Sequence, residues 1–326
     1  MGRFKMGFGS GKTELFLVGV LLILFLVFTY LSPVFFTPFN LMNLLRQTAI
    51  AGIVAIGMVF VIISAGIDLS VGSVVGFSGI IVAMAMVAGV PVPLAILLAV
   101  GASACVGLVN GILIYDGKVP PFIATLGTMA VVRAMIMLIT GARMVSGLPA
   151  SFIRISGGSF WPIPALNFPG IPYLALVWIV LTLVAVFVIK KTVFGRAIFA
   201  YGSNPEAARL SGINIRKTIY GVYIYSAVMC GIAGVLLTSR LSSATPTAGM
   251  GFELDAIASA VVGGASLMGG EGSILGAFLG AIIMATLRQG GTLIGMNAFI
   301  MEIIIGSLIV VAVLLDQLRK KQGGSK

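Results

Sequence analysis

Long apolar runs, broken only by short polar or glycine-rich joints, fill this chain almost from end to end. A helix needs roughly 20 apolar residues to cross the hydrocarbon core of a bilayer. Ten segments reach or approach that length: 15–31, 46–65, 70–89, 93–115, 121–140, 173–189, 217–239, 254–269, 272–289 and 298–316. Only 9% of the 326 residues are charged and 59% are hydrophobic. Ordinary globular domains run near 25% charged and 45–50% apolar. So few charges cannot cover a water-facing surface, and the same figures exclude disorder. The expected fold is an all-α polytopic membrane protein, a single transmembrane domain over 1–326 with about ten helices, some broken or short.

The formal charge of +11 would suggest a nucleic-acid partner in a soluble chain. Here its placement follows membrane orientation instead. With the N-terminus in the cytoplasm, Lys118, Lys190, Lys191, Arg196, Arg209, Arg216, Lys217, Arg319, Lys320, Lys321 and Lys326 all fall inside. Outside loops hold Arg143, Arg154 and Arg240, with Arg46 and Arg288 at outer span ends. This positive-inside bias fits an even number of crossings and two cytoplasmic termini, tails 1–14 and 317–326. The first span follows Arg3, Lys5 and Lys12 as a signal peptide would. No small-x-small cleavage site follows it, so a retained anchor is expected.

Histidine is absent and the two cysteines, Cys105 and Cys230, lie in apolar runs. No imidazole relay, Ser-His triad, zinc pattern or disulfide framework is readable. Gly7–Thr13 resembles a phosphate-binding loop, but Met6 stands where its first glycine belongs and no strand precedes it. ATP, if used, is therefore expected on another chain. Two segments lie outside the spans. Gly141–Pro172 is external and too rich in Pro and Gly for a long helix. The 190–217 segment is cytoplasmic. In it, Ser203 or Asn204 can cap a short helix, Pro205 and Glu206 suit its first turn, and Gly212 suits its stop.

The polar residues inside spans each admit a structural role. Asp68 and Ser70 interrupt a hydrophobic region, where an aspartate costs about 2.5–3.5 kcal/mol on insertion scales. Asp68 must cap the next helix, pair with a base or face water. Glu253 and Asp255 open an apolar run, as acids capping a helix at the outer interface would. Arg133 can snorkel, pair with an acid or line a wet cavity. Gly272, Gly276 and Gly280 form a helix-packing stripe. The Gly-Ser-x-x-Gly sequences at Gly72–Gly76 and Gly272–Gly276 match at an offset of 200, as an internal duplication would produce. Ser64, Ser78, Asn110, Thr125, Thr128 and Asn297 are candidates to line a hydroxyl-binding path.

Five stretches together resemble the membrane permease of bacterial monosaccharide ABC importers of the ribose, xylose and galactose type. They are Gly66–Ser73, Phe122–Gly127, Ser203–Ile213, Arg240–Gly264 and Gly269–Gly272, and with the span pattern they cover nearly the whole chain. The RLSSATPTAG stretch leans towards ribose. The resemblance implies a translocation path built with a second permease copy, ABC ATPase subunits on the cytoplasmic face and an extracytoplasmic sugar-binding protein. ATP and Mg would be held by the ATPase, with no cofactor on this chain and no reaction catalysed by it. It implies that Asn204, Glu206, Ala207, Ala208 and Gly212 contact the ATPase. Asp68, Ser70, Glu253 and Asp255 match family signatures. The chain departs from the ribose type at Glu302 and Gly306, where an amide and a base are implied. The alternatives are an ion-coupled transporter working through Glu302, a passive sugar facilitator, or an ABC permease for a furanose-like signal molecule or branched amino acid.

Overall fold

The computed structural model describes residues 10–163 and 168–323. Gly7–Gly9 of the phosphate-loop look-alike, and the charged ends that include Arg3, Lys5 and Lys326, lie outside the described residues. Among those described, thirteen helices follow one another: α1 (Ser10–Leu31), α2 (Pro38–Ile63), α3 (Val71–Val87), α4 (Val92–Tyr115), α5 (Pro121–Thr140), α6 (Ala150–Gly157), α7 (Tyr173–Lys191), α8 (Val193–Ser203), α9 (Pro205–Leu210), α10 (Ile215–Leu241), α11 (Phe252–Val262), α12 (Ile274–Leu293) and α13 (Ala298–Gly323). A two-residue antiparallel ribbon, β1 (Ser159–Phe160) and β2 (Ile171–Pro172), lies between α6 and α7.

Among the described residues, seven helices are long and apolar enough to span a membrane, and α3 and the first part of α13 are shorter apolar helices. The expected spans fall on these elements with three changes. α2 begins at Pro38, because Thr37 accepts a hydrogen bond from the Asn40 amide and Pro38 suits a first turn. The crossing expected at 254–269 is not one continuous helix: residues 242–251 run back into the bundle without helix, and α11 completes the return to the end where Gly270 meets Ile63. α11 has 11 residues, about 16 Å at 1.5 Å per residue, roughly half of a bilayer core. α1 also starts within the expected 1–14 tail, and Glu14 accepts a 2.7 Å hydrogen bond from Ser273 at the start of α12.

α2 and α10 form the centre. Buried residues make up 83% of the apolar window of α2 and 67% of that of α10, against 11% for α1 and 22% for α4 and for α5. Helices that are apolar all round are interior ones, or lipid-facing where neighbours are few. Small residues set the close approaches. Gly57 lies on Ser226, Gly107 on Tyr223, Gly231 on Ser103 and Gly234 on the Val75 carbonyl, joining α10 to α2, α4 and α3. Gly52 lies under the Trp178 indole of α7, which stacks on Phe278 of α12 with ring centroids 4.0 Å apart. Two glycines of the expected stripe, Gly276 and Gly280, lie on α12, while Gly272 precedes its N-cap Ser273. Gly276 lies against the Gly263 carbonyl, Gly280 against that of Ser259, and Gly272 against Ile63.

Among its described residues, the 141–172 segment holds one helix, the eight-residue α6, and the β1–β2 ribbon, in line with its Pro and Gly content. Ser156 Oγ donates to the Leu236 carbonyl (2.9 Å), and Ser239 Oγ donates to that of Phe152 (2.7 Å). These bonds fasten α6 to the last turns of α10.

Two helix breaks and a helix pair at the basic end

The first break follows α2. Ser64 closes that helix by donating to the Val61 carbonyl at 2.7 Å. The chain then turns back through Gly66–Ser70 into the bundle. Asp68 is 2% exposed, so its carboxylate depends wholly on protein partners. Oδ1 accepts from the Ser70 amide (2.9 Å) and the Ser70 hydroxyl (2.6 Å), and Oδ2 accepts from Ser226 Oγ of α10 (3.2 Å). Asn110 Nδ2 of α4 donates to Ser70 Oγ at 3.0 Å. Thr125 of α5 accepts from the Leu69 amide at 3.1 Å, and its hydroxyl lies within reach of the Ile67 and Pro121 carbonyls. One aspartate and its neighbours thus tie α3, α4, α5 and α10 together at an unwound joint. Asp68 does not cap α3 in the expected way: Ser70 occupies the N-cap and Asp68 holds the turn before it.

The residues expected to line a path all have partners within the chain or sit buried in it. Ser64, Asn110 and Thr125 are buried and bond within the chain, and Thr128 is buried one turn beyond Thr125. Ser78 is buried too and donates to the Gly231 carbonyl at 2.7 Å. Asn297 caps the start of α13, accepting from the Phe299 amide at 2.8 Å.

The second break follows α10. Residues 242–251 turn back towards the middle of the bundle, and α11 starts there. The Gly249 carbonyl lies against Gly72 of α3, and the Ala248 carbonyl against Gly76. Arg133 lies twelve residues into α5, about 18 Å from its start. Its Nη1 donates to the Pro246 and Ala248 carbonyls, both at 2.9 Å. The arginine therefore satisfies backbone that the unwound segment cannot satisfy itself, and Glu253 lies close enough to attract it. Glu253 accepts from the Gly251 amide at 3.3 Å. Asp255 pairs with Arg288 of α12 at 2.6 Å. Both acids open α11 as expected, but within the bundle rather than at the outer interface, because the chain re-enters before the helix begins.

Arg133→Met should strand two carbonyls. At about 1–3 kcal/mol for each unsatisfied buried group, the thermal unfolding midpoint of the detergent-purified chain should fall by several degrees. Arg133→Lys, which keeps a donor, should recover part of the loss. An unchanged midpoint for Arg133→Met would show that the two carbonyls do not depend on Arg133.

The third feature lies at the end of the bundle that carries Lys118, Lys190, Lys191, Arg209, Arg216 and Lys217. The expected short helix is α9. Asn204 Oδ1 accepts from the Ala207 amide at 3.0 Å, Pro205 is the first helical residue, and Gly212 follows the last turn at φ +79°. Glu206 and Arg209 pair at 3.0 Å across an exposed face. Asn204, Glu206, Ala207 and Gly212 are exposed, whereas Ala208 is buried against the chain. α8, which precedes α9, was not anticipated; Thr192 caps it by accepting from the Gly195 amide at 3.2 Å. Gly202 and Ser203, at its end, rest on the Ile63 carbonyl and Gly270. The Gly270 amide donates to that same carbonyl at 2.8 Å. Gly269 and Gly270, both at positive φ, give the α11–α12 joint a turn that reaches the end of α2.

A long-helix bundle with two inward-folded breaks and an exposed capped helix at its basic end defines a multi-pass membrane permease. A family model described as "Branched-chain amino acid transport system / permease component" matches residues 40–313. The chain belongs to that permease family. It is 42% identical over 302 residues to the ribose import permease protein RbsC of Bacillus subtilis (strain 168), covering 92% of this chain and 91% of that one. Identity is 40% with the Haemophilus influenzae protein of the same name, over 91% of this chain and 90% of that one. It is 36% with the xylose transport system permease protein XylH of Escherichia coli (strain K12), over 94% and 92%. No solved structure matches the chain.

Proposed function

We propose that this chain, paired with a second copy in the bacterial inner membrane, forms the translocation path of an ATP-driven importer for ribose or a similar monosaccharide. Both termini and the basic end lie in the cytoplasm. ATP and Mg are bound and ATP is hydrolysed on separate ABC ATPase subunits, and an extracytoplasmic sugar-binding protein delivers the solute. The chain itself catalyses no reaction. Ribose is preferred to the amino-acid cargo in the family's description because the relatives near 40% identity are named for ribose. A neutral polyol also requires no counter-charge from the path.

The observation that carries the reading is the mounting of α9. Its exposed face offers Asn204, Glu206 and Ala207 to a partner, while the preceding corner, Gly202–Ser203, rests where α2 ends and the α11–α12 joint begins. A push on α9 would therefore reach the end of α2 and the α11–α12 joint through packed backbone. Ala208 seats the helix, and Gly212 permits the reversal into α10. Coupling of this kind needs a two-state element biased by the partner.

Uptake into proteoliposomes containing the chain, its ATPase and the binding protein tests the proposal across a panel of pentoses and hexoses. ATP-dependent accumulation of a monosaccharide is expected, with none from the chain alone. Uphill uptake without the ATPase, or collapse by an uncoupler, would establish an ion-coupled transporter instead. Glu206→Lys reverses the charge beside Arg209, and Gly212→Pro forces φ near −65° where the chain needs +79°. Each should lower ATP-driven uptake at least about tenfold, the equivalent of roughly 1.4 kcal/mol in the coupled step, while the chain still inserts. Normal uptake by both would defeat the docking assignment.

A further inference from the structure

A groove at the basic end borders the α9 docking loop, Gly212 lining one part of it, but the rest of its lining is left without a role by the transport reading. It consists of two adjoining depressions of about 390 and 420 Å³ that share Phe194 of α8 and Lys217 of α10. One runs along the flank of α10 over Gly221, Ile224, Tyr225 and Val228, positions one helical face apart. The other lies between α8 and the chain entering α10, and Arg196 stands on its rim.

The two parts have opposite chemistry. From Lys217 to Met229 the groove follows α10 for about 18 Å, and below Lys217 its wall is apolar. That depth places the wall beside acyl chains, beyond the reach of a soluble subunit docked on α9. At the mouth stand two cations, Lys217 and Arg196, neither in an ion pair among the described residues. The nearby acids are committed elsewhere: Glu206 pairs with Arg209, and Asp116 with Arg216 and Tyr220. A pair of free cations above an apolar channel complements a molecule with an anionic head and hydrocarbon tails. We propose that this groove binds an anionic phospholipid, its phosphate between Arg196 and Lys217 and one acyl chain along α10. Basic pockets between membrane helices at one face of the bilayer suit such headgroups.

Lipid retention is read directly on the chain, so the test needs neither cargo nor transport. The intact chain, purified in detergent, is titrated with phosphatidylglycerol or phosphatidylcholine and examined by native mass spectrometry. Preferential retention of phosphatidylglycerol is expected. Arg196→Gln with Lys217→Gln should lower that retention about fivefold or more. Val228→Trp, which fills the apolar wall and leaves both cations in place, should lower it as well. Equal retention of the two lipids, or retention unchanged in both variants, would overturn the proposal. So would glycerol phosphate, which has no acyl chains, competing as effectively as the lipid. A disulfide between two copies carrying Val228→Cys would show a second chain covering the groove and would also overturn it.

Discussion

Asp68→Ala should abolish recovery of folded permease from membranes, whereas Asp68→Asn should leave recovery intact. The carboxylate accepts from one backbone amide and two hydroxyls in a site without water contact. Alanine leaves all three donors buried. At about 1–3 kcal/mol for each unsatisfied group the loss is some 3 kcal/mol or more, a large share of the ~5–15 kcal/mol that holds a typical protein folded. Asparagine retains Oδ1 for Ser70, and the Ser226 hydroxyl can rotate to accept from the new amide. It also removes a charge that the apolar surroundings disfavour. The unfolding midpoint of Asp68→Asn should therefore equal or exceed that of the parent, measured by fluorescence-detected size exclusion after stepped heating. A midpoint for Asp68→Ala within a degree of the parent would show that the turn 64–70 does not need its acceptor. If Asp68→Asn folds well yet loses uptake, the charge serves transport beyond holding the turn.

The second large effect is expected at the α11–α12 contact. Gly276→Val and Gly280→Val each place a branched side chain where the Gly263 or Ser259 carbonyl already sits. The obstacle is backbone on both sides, so rotamer changes cannot relieve it. Overpacked sites typically lose about 1–3 kcal/mol, with backbone clashes at the upper end. Separating these helices should also loosen the Asp255–Arg288 pair, which bridges them one turn from the start of α11. The expected result is an unfolding midpoint lowered by several degrees and uptake reduced more than tenfold. Gly306→Val is the control: a Cβ there meets nothing within 4 Å, so stability should be unchanged. Equal behaviour at Gly280 and Gly306 would refute the close contact.

The α9 helix shows why some of the site was readable in advance. Its cap, its first-turn proline and acid, and its terminal glycine act within a few residues, so local preference specifies it. The α12 glycine stripe was readable for a related reason, because spacing by four puts small residues on one helix face whatever lies opposite. Arg133 and Ser226 were not legible in the same way. The groups that explain them, the Pro246 and Ala248 carbonyls and the Asp68 carboxylate, lie more than a hundred residues away in the chain. The partners of Asn110 and Thr125, Ser70 and the Leu69 amide, were not legible for a similar reason. Composition identifies a hydroxyl or amide in a span, but not whether a neighbouring strand of unwound backbone already claims it. The half-length of α11 was missed because an apolar run of sixteen residues reads as one helix until its glycines are seen to turn.

By itself the sequence determined the membrane class, nearly every span, the basic end and the capped helix beside it. Those properties follow from hydropathy, charge placement and capping, which operate over one helix or less. Tertiary structure alone decided how deep the two breaks lie, which polar groups they consume and what α9 rests upon. These outcomes depend on which backbone groups lose their helical partners and which distant side chains come within hydrogen-bond reach to replace them.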